Sequence, residues 1–231
     1  MHRIQALLFL AIAPLTLHAE GGDAATAQQV LDRYHQATQA QERQLRDVEM
    51  DVEIDASLPR LGRKGTLSAL RAIGRVGQIT YKAITFQGDD SIKRDVIARY
   101  MQAEVEASQK PGLGIQPENY KFRHAGYHKE GEWELYLYEL TPRQKKPGLF
   151  RGWMWLEAKS AMPVREEGEF VKSPSVFLRR ISFTRDYLVQ DGVSVPSAIR
   201  STVDTRIVGK AEIQVRYKNL HSTRPQTASS L

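Results

Sequence analysis

Four places in this sequence carry residue types and spacings from which chemistry is built. The first is His124 and His128. On a helix, a spacing of four sets two imidazoles on one face, ready for zinc. The run Tyr120–Lys129 alternates like a strand instead, where the same spacing separates them by roughly 13 Å. A bulge at Gly126 would shorten that gap, but no third ligand follows nearby. The second place is Glu166, Glu167 and Glu169, carboxylates of the kind paired for acid–base work. On a strand Glu167 and Glu169 share a face and Glu166 points away, so an exposed strand is expected. The third, Gly112-Leu113-Gly114 after Pro111, lacks the strand and helix that phosphate binding requires. There is no G-x-S-x-G elbow, H-E-x-x-H, P-loop or G-x-G-x-x-G. With no cysteine there is no disulfide, thiolate metal site or lipidation site. The expectation is a protein with no catalytic residue, no metal and no cofactor, and so not an enzyme.

The fourth place is a surface. Arg143-Gln144-Lys145-Lys146 forms a basic turn backed by Pro147-Gly148, with Phe150-Arg151 beyond. Positive charge beside an aromatic suits anionic headgroups or an acidic partner, at about 1 kcal/mol per Lys or Arg near such a membrane. Arg143, Lys145, Lys146, Phe150 and Arg151 are therefore the expected partner or membrane contacts.

The elements that must position these residues are mostly strands. Asp23–Leu45 reads as a helix with Ala27, Val30, Leu31 and Tyr34 on one stripe. In Asp47–Leu58, Val48, Met50, Val52, Ile54 and Ala56 alternate with five carboxylates spaced roughly 7 Å apart. Repulsion along that anionic face calls for Lys or Arg on a neighbouring strand. After the turn Pro59–Gly65, Thr66–Ile73 and Val76–Phe86 read as strands. A second helix, Asp90–Ser108, opens at Asp90 or Ser91 and carries Ile92, Val96, Ile97, Tyr100 and Met101 on its apolar stripe. Seven further strands follow: Tyr120–Lys129, Glu132–Thr141, Phe150–Lys159, Met162–Lys172, Val176–Gln190, Val193–Val203 and Ile207–Leu220. Asp191-Gly192 is a strong hairpin signal. Trp133, Leu135 and Leu137 share one face of their strand and Tyr136 and Tyr138 the other; Trp153 and Trp155 face together, opposite Met154 and Leu156. Strands apolar on both sides are either sandwiched or line a cavity.

The predicted fold is α+β: a strongly curved antiparallel sheet of about ten strands, an open half-barrel, with two helices on its concave face. At 231 residues the chain suits one domain, placed at 23–220 with a polar tail at 221–231. The net charge of +6 is spread along the chain, which favours solubility and gives no nucleic-acid footprint. Met1–Arg3 is basic, Ile4–Leu17 is apolar and Ala19 is small, the pattern of a signal peptide over 1–19. That apolar run is too short to span a bilayer. A soluble monomer outside the cytoplasm is expected.

Several phrases extend this reading. G-D-D-S-I-K-R-D-V-I-A-R-Y-M-Q-A-E (Gly88–Glu104), N-Y-K-F (Asn119–Phe122), K-K-P-G-L-F-R-G-W-M-W-L-E-A (Lys145–Ala158) and P-V-R-E-E-G-E (Pro163–Glu169), in this order, resemble secreted bacterial proteins of the outer-membrane lipoprotein-sorting, LolA/LolB-like type. The resemblance implies a half-barrel whose helices fill the concave side, and a periplasmic carrier holding the acyl chain of a lipid or lipoprotein between sheet and helices. The family's lid arginine and protruding leucine find no counterpart at a specific position here. The missing lipobox cysteine favours a soluble carrier over a membrane-anchored acceptor. In that frame Ile92, Val96, Tyr100, Met101, Trp133, Leu135, Leu137, Phe183 and Ile213 are the expected groove residues. An acyl chain of about fifteen carbons would gain roughly 12 kcal/mol there. A periplasmic sensor that binds an envelope protein through the same fold is the alternative.

Overall fold

The computed structural model describes residues 24–223, apart from 111, 174–177, 191–192 and 207–208. The expected signal peptide, the Asp191-Gly192 turn and the tail beyond residue 223 lie outside the described residues. Helix α1 (Ala24–Gln44) leads into β1 (Val48–Leu58), β2 (Arg63–Ile73) and β3 (Ile79–Gly88). Helix α2 follows in three parts: it opens at Asp90–Ile92, passes through a π-helical stretch at Lys93–Ile97 and continues as Ala98–Ser108. The rest is strand: β4 (Tyr120–Glu130), β5 (Trp133–Pro142), β6 (Phe150–Glu157), β7 (Pro163–Phe170), β8 (Leu178–Gln190), β9 (Val193–Thr205) and β10 (Lys210–Ser222).

All ten strands join one antiparallel sheet in the order β3-β2-β1-β10-β9-β8-β7-β6-β5-β4. Consecutive strands form hairpins within β1–β3 and within β4–β10, and the pairing of β1 with β10 joins the two sets. The sheet stays open, with β3 and β4 as its edges, and α2 carries the chain from one edge to the other. The predicted α+β class, ten-strand antiparallel sheet and two helices are observed. Details differ at the ends. Gly74 donates to the Gln78 carbonyl at 2.9 Å, closing a turn that delays β3 to Ile79. Strand β10 runs on to Ser222, opposite Val48, so pairing extends into the segment expected to be tail. The cap of α2 is Asp89, whose carboxylate accepts from Ser91 N at 2.8 Å, one residue before the expected cap.

Register shows why both helices lie on the same face. Leu67, Ile54, Val215 and Ile199 are successive cross-strand partners from β2 to β9. The row continues through Arg185, Glu166, Met154 and Tyr138 on β8 to β5. Cross-strand partners share a face, so all eight project to one side. Over one end of this row Ala27, Val30, Leu31 and Tyr34 of α1 pack on Tyr136, Tyr138, Leu140, Met154 and Leu156. Over the other end Ile92 and Ile97 of α2, both fully buried, pack on Ile54, Ala56, Leu67 and Val215. There are thus two hydrophobic clusters under two helices, and a seam between them. The helices cover one face of the sheet and leave the other bare.

Glycines set how tightly the sheet bends at β6 and β7. Gly152 and Gly168 face each other. A Cβ on Gly152 would lie 1.9 Å from the Glu167 carbonyl oxygen, and one on Gly168 would lie 2.7 Å from a ring carbon of Phe150. The rings of Phe150, Phe170 and Phe183 cover this bare backbone, with centroids 4.9 and 5.3 Å from Phe183.

The anionic face of β1 is neutralised as its alternation requires. Arg216 on β10 binds both Glu53 and Asp55, Lys82 reaches Glu49 at 3.3 Å and Asn219 donates to Asp51 at 2.7 Å. These pairs are partly exposed and each contributes little by itself; together they remove the repulsion along the strand.

His35 is half-buried on α1. Its ring packs edge-on to Phe122 at 5.0 Å, and Nε2 is buried with no hydrogen-bond partner. Burial pulls its pKa below 6.5, against the pull of Asp32 and Glu118. With the folded value depressed, the unfolded chain binds the proton more tightly. The contribution to stability is complete above about pH 6.5 and is lost as pH falls from there through the folded pKa. Urea unfolding at several pH values should show a decline of at most about 1.4 kcal/mol per unit in that window, and His35→Phe should flatten it. An unchanged slope in His35→Phe would remove His35 as its source.

Candidate functional site

Midway along the helix-covered row the apolar pattern breaks. Between Ile199 and Met154 stand Arg185 and Glu166. Glu166, on β7, is only 3% exposed. It accepts from Arg185 Nη1 at 3.0 Å and from the Tyr187 hydroxyl at 2.8 Å. The expectation that Glu166 belongs to an exposed strand is corrected here: it does point away from Glu167 and Glu169, but into the interior. Burial lowers the Arg185 pKa, and Tyr187 and Glu166 together outweigh it and hold the guanidinium charged. Burial pushes the Tyr187 phenol far above its usual range, so it remains a donor.

A second polar group lies beyond this seam. Glu104 of α2 accepts from Arg71 Nε at 3.2 Å and Nη2 at 2.7 Å, and from the Tyr81 hydroxyl. The Arg71 guanidinium lies 5.5 Å from the Tyr217 ring centroid. Burial disfavours the Arg71 charge, and Glu104 more than restores it. Tyr217 is pushed up to about 12, chiefly by burial.

These contacts explain how α2 is held. Its first turns are anchored by Ile92 and Ile97. Its continuation, Ala98–Ser108, has no fully buried residue. That half is fastened by Glu104 and by Ser108, whose Oγ accepts from Ile79 N at 3.1 Å. The π-helical stretch at Lys93–Ile97 separates the anchored part from the fastened part, and such irregularities are frequent at functional sites.

The expected groove residues fall into two groups. Ile92 of α2 and Ile213 of β10 are buried in the cluster under that helix, and Val96, Tyr100 and Met101 pack half-buried on it. Phe183 is buried in the other cluster, under α1. Trp133, Leu135 and Leu137 do not join them. They lie on the opposite side of β5 from the buried Tyr136 and Tyr138, and Trp133 is 49% exposed. Period-two alternation separates the two sets, and the helices cover the tyrosine side, which has polar hydroxyls to satisfy. Tyr138 donates to Ala27 O at 2.7 Å.

At the basic turn, Arg143, Lys145, Lys146 and Arg151 are exposed, and Arg143 Nε donates to Pro117 O at 2.6 Å. Phe150 is not available for membrane contact. It is 4% exposed in the core, with its N–H donated to the Tyr120 hydroxyl at 3.1 Å. The bulge near Gly126 is present, between His124 and Gly126. It sends His124 to the face of Tyr138 while His128 sits opposite Leu135, so the two imidazoles diverge. Among the described residues no group of three or more His, Asp or Glu is placed to hold a metal ion.

The Glu166–Arg185–Tyr187 and Glu104–Arg71–Tyr81 groups had a partial signal in the sequence: charged residues at inward positions of strands otherwise apolar on that side. Neither pairing was legible, because the partners come from strands or helices up to 33 residues apart.

No protein-family model and no curated protein matches the chain. Among solved structures it is similar to a LolA superfamily protein from Nitrosomonas europaea, at 13% identity and a TM-score of 0.42, over 87% of this chain and 96% of that one. A DUF1329 family protein from Desulfovibrio piger has 15% identity and a TM-score of 0.41, over 87% and 95%. A lipoprotein-sorting protein domain, described as putative outer membrane, from Vibrio parahaemolyticus has 14% identity and a TM-score of 0.40, over 88% and 95%.

Proposed function

We propose that this protein is a non-catalytic carrier of the bacterial periplasm, which takes an acyl chain of a lipid or lipoprotein between the second half of α2 and strands β1, β2, β3 and β10. One observation carries the reading: Ala98–Ser108 covers an apolar strip without burying a residue of its own, and is held down by the polar fastening of Glu104. An element retained by a few hydrogen bonds, at Glu104 and Ser108, can lift without dismantling the core. Ile92 and Ile97 would keep the first turns in place while the π-helical stretch flexes. The strip beneath includes Tyr81 and Tyr217, partly buried with Tyr100 and Met101 at the edge of the apolar cluster, and an acyl chain lying on it would replace the contacts that the helix gives up. The basic leader followed by the apolar run Ile4–Leu17 supports export. Among the described residues no helix is long and apolar enough to cross a membrane.

In this reading Glu104→Ala frees the lid. Hydrogen exchange at residues 98–108 should accelerate, and uptake of a fluorescent fatty acid should rise about tenfold, corresponding to roughly 1.4 kcal/mol removed from the closed state. Native mass spectrometry of protein purified from a membrane-containing host should find lipid bound. No bound lipid, and no fatty-acid uptake by either wild type or Glu104→Ala, would sink the carrier reading. The alternative, an envelope sensor docking a protein through the exposed basic turn Arg143–Lys146, would instead give a stoichiometric protein partner in pull-downs, lost on charge reversal of that turn.

A further inference from the structure

The face of the sheet that no helix covers is hollow. A cavity of about 820 Å³ crosses β3, β2, β1, β10, β9 and β8, and a second of about 550 Å³ crosses β8, β7, β6 and β5. They share Ser182, Phe183 and Thr184 as lining, so they form one trough running across the strands. Its floor is a single register row. Trp153, Glu167, Thr184 and Arg200 are cross-strand partners in turn. The row continues through Gln214, Asp55 and Thr66 to Gln87. Seven strand spacings separate its ends, roughly 34 Å.

Three properties of this row select a ligand. Charge is balanced: the larger cavity is lined by Asp55 and Glu212 against Lys64 and Arg200, and several charges are already paired, as in Arg180 with Glu169 at 2.7 Å and Arg200 with Asp186 at 2.8 Å. A polyanion gains nothing from such a lining, and an acyl chain would strip water from it at a cost. Next, neutral donors and acceptors are free. Among the described residues, the side chains of Gln87, Thr184, Thr202 and Gln214 make no hydrogen bond to another residue. Last, Trp153 lines the second cavity half-buried, with no aromatic or cationic partner among the described residues, whereas the neighbouring Trp155 lies 5.9 Å from the Arg165 guanidinium. An unoccupied indole offers a flat apolar platform, and the amides and hydroxyls around it offer both halves of a hydrogen bond.

We propose that this trough binds an uncharged oligosaccharide, extended across the strands, with one sugar ring stacked by its C–H face on Trp153 and the following hydroxyls bonded to Thr184, Gln214 and Gln87. It occupies the opposite face from the acyl-chain site, so the two readings stand or fall separately.

Isothermal titration with chitohexaose, cellohexaose and maltohexaose tests it, with an alginate hexamer as the charged comparator. At least one neutral hexamer should bind with one-to-one stoichiometry, perturb tryptophan fluorescence and resist high salt. Trp153→Ala should weaken that binding about tenfold, the scale of one aromatic contact, with the far-ultraviolet circular dichroism unchanged. If Trp153→Ala does not fold, the exposed Gln214→Ala serves in its place with a severalfold loss. The proposal is overturned if none of the three neutral hexamers binds. It is equally overturned if only alginate binds and salt abolishes it, or if the folded variant binds as tightly as wild type.

Discussion

Glu166→Ala should lower the stability of the fold by about 3 kcal/mol, the lower end of what removing one partner from a buried ion pair costs. The cost arises because Arg185 remains inside, charged, with only the neutral Tyr187 hydroxyl at 3.3 Å and the Phe183 ring at 5.5 Å against it among the described contacts. Its side chain keeps 33% of its exposure while that of Glu166 keeps 4%, so water compensates Arg185 in part and holds the loss to that lower end. In urea unfolding the midpoint should fall with the slope unchanged, and the melting temperature should drop by roughly 6–12 °C for a domain of this size. Replacing both partners, Glu166→Leu with Arg185→Leu, should recover most of the loss, since no uncompensated charge is left between the two clusters. A single substitution costing under about 1 kcal/mol would mean that the seam is wet and that the pair does not organise it.

Gly152→Ala should be comparably severe for a different reason. The new methyl group would stand 1.9 Å from the Glu167 carbonyl oxygen and 2.6 Å from Gly168 Cα, both backbone atoms that no side-chain rotation can clear. Strands β6 and β7 would have to separate at the place where the phenylalanine rings close over them, at a cost of about 3 kcal/mol. Gly114→Ala is the control: its methyl would meet only Gln116 Cγ at 3.5 Å, so it should shift stability by no more than about 0.5 kcal/mol. Differential scanning calorimetry of the two variants decides the point. Equal melting temperatures would show that the sheet relaxes freely at Gly152.

The strands were legible because alternation is local. In β1 the buried set Val48, Met50, Val52, Ile54, Ala56 and Leu58 is the set that alternation selects, and the carboxylates between them announced a basic neighbour, found as Arg216. The helix stripes were legible for the same reason: Ala27, Val30, Leu31 and Tyr34 are all buried. Alternation assigns residues to two faces without saying which face is covered. That is why Trp133, Leu135 and Leu137 were placed in the groove although α1 covers Tyr136 and Tyr138, and why Phe150 was assigned to the surface.

The sequence by itself thus determined the antiparallel strands, the two amphipathic helices, the sorting of each strand into two faces and the absence of recognised catalytic motifs, because each depends on residues a few positions apart. Tertiary structure alone decided which face the helices cover, that Glu166 finds Arg185 and Glu104 finds Arg71, that the opposite face carries a trough, and that β1 joins β10. Those outcomes depend on partners brought together by the pairing of strands far apart in the chain. The balance of burial against desolvation that selects them exists only once every strand has found its neighbour.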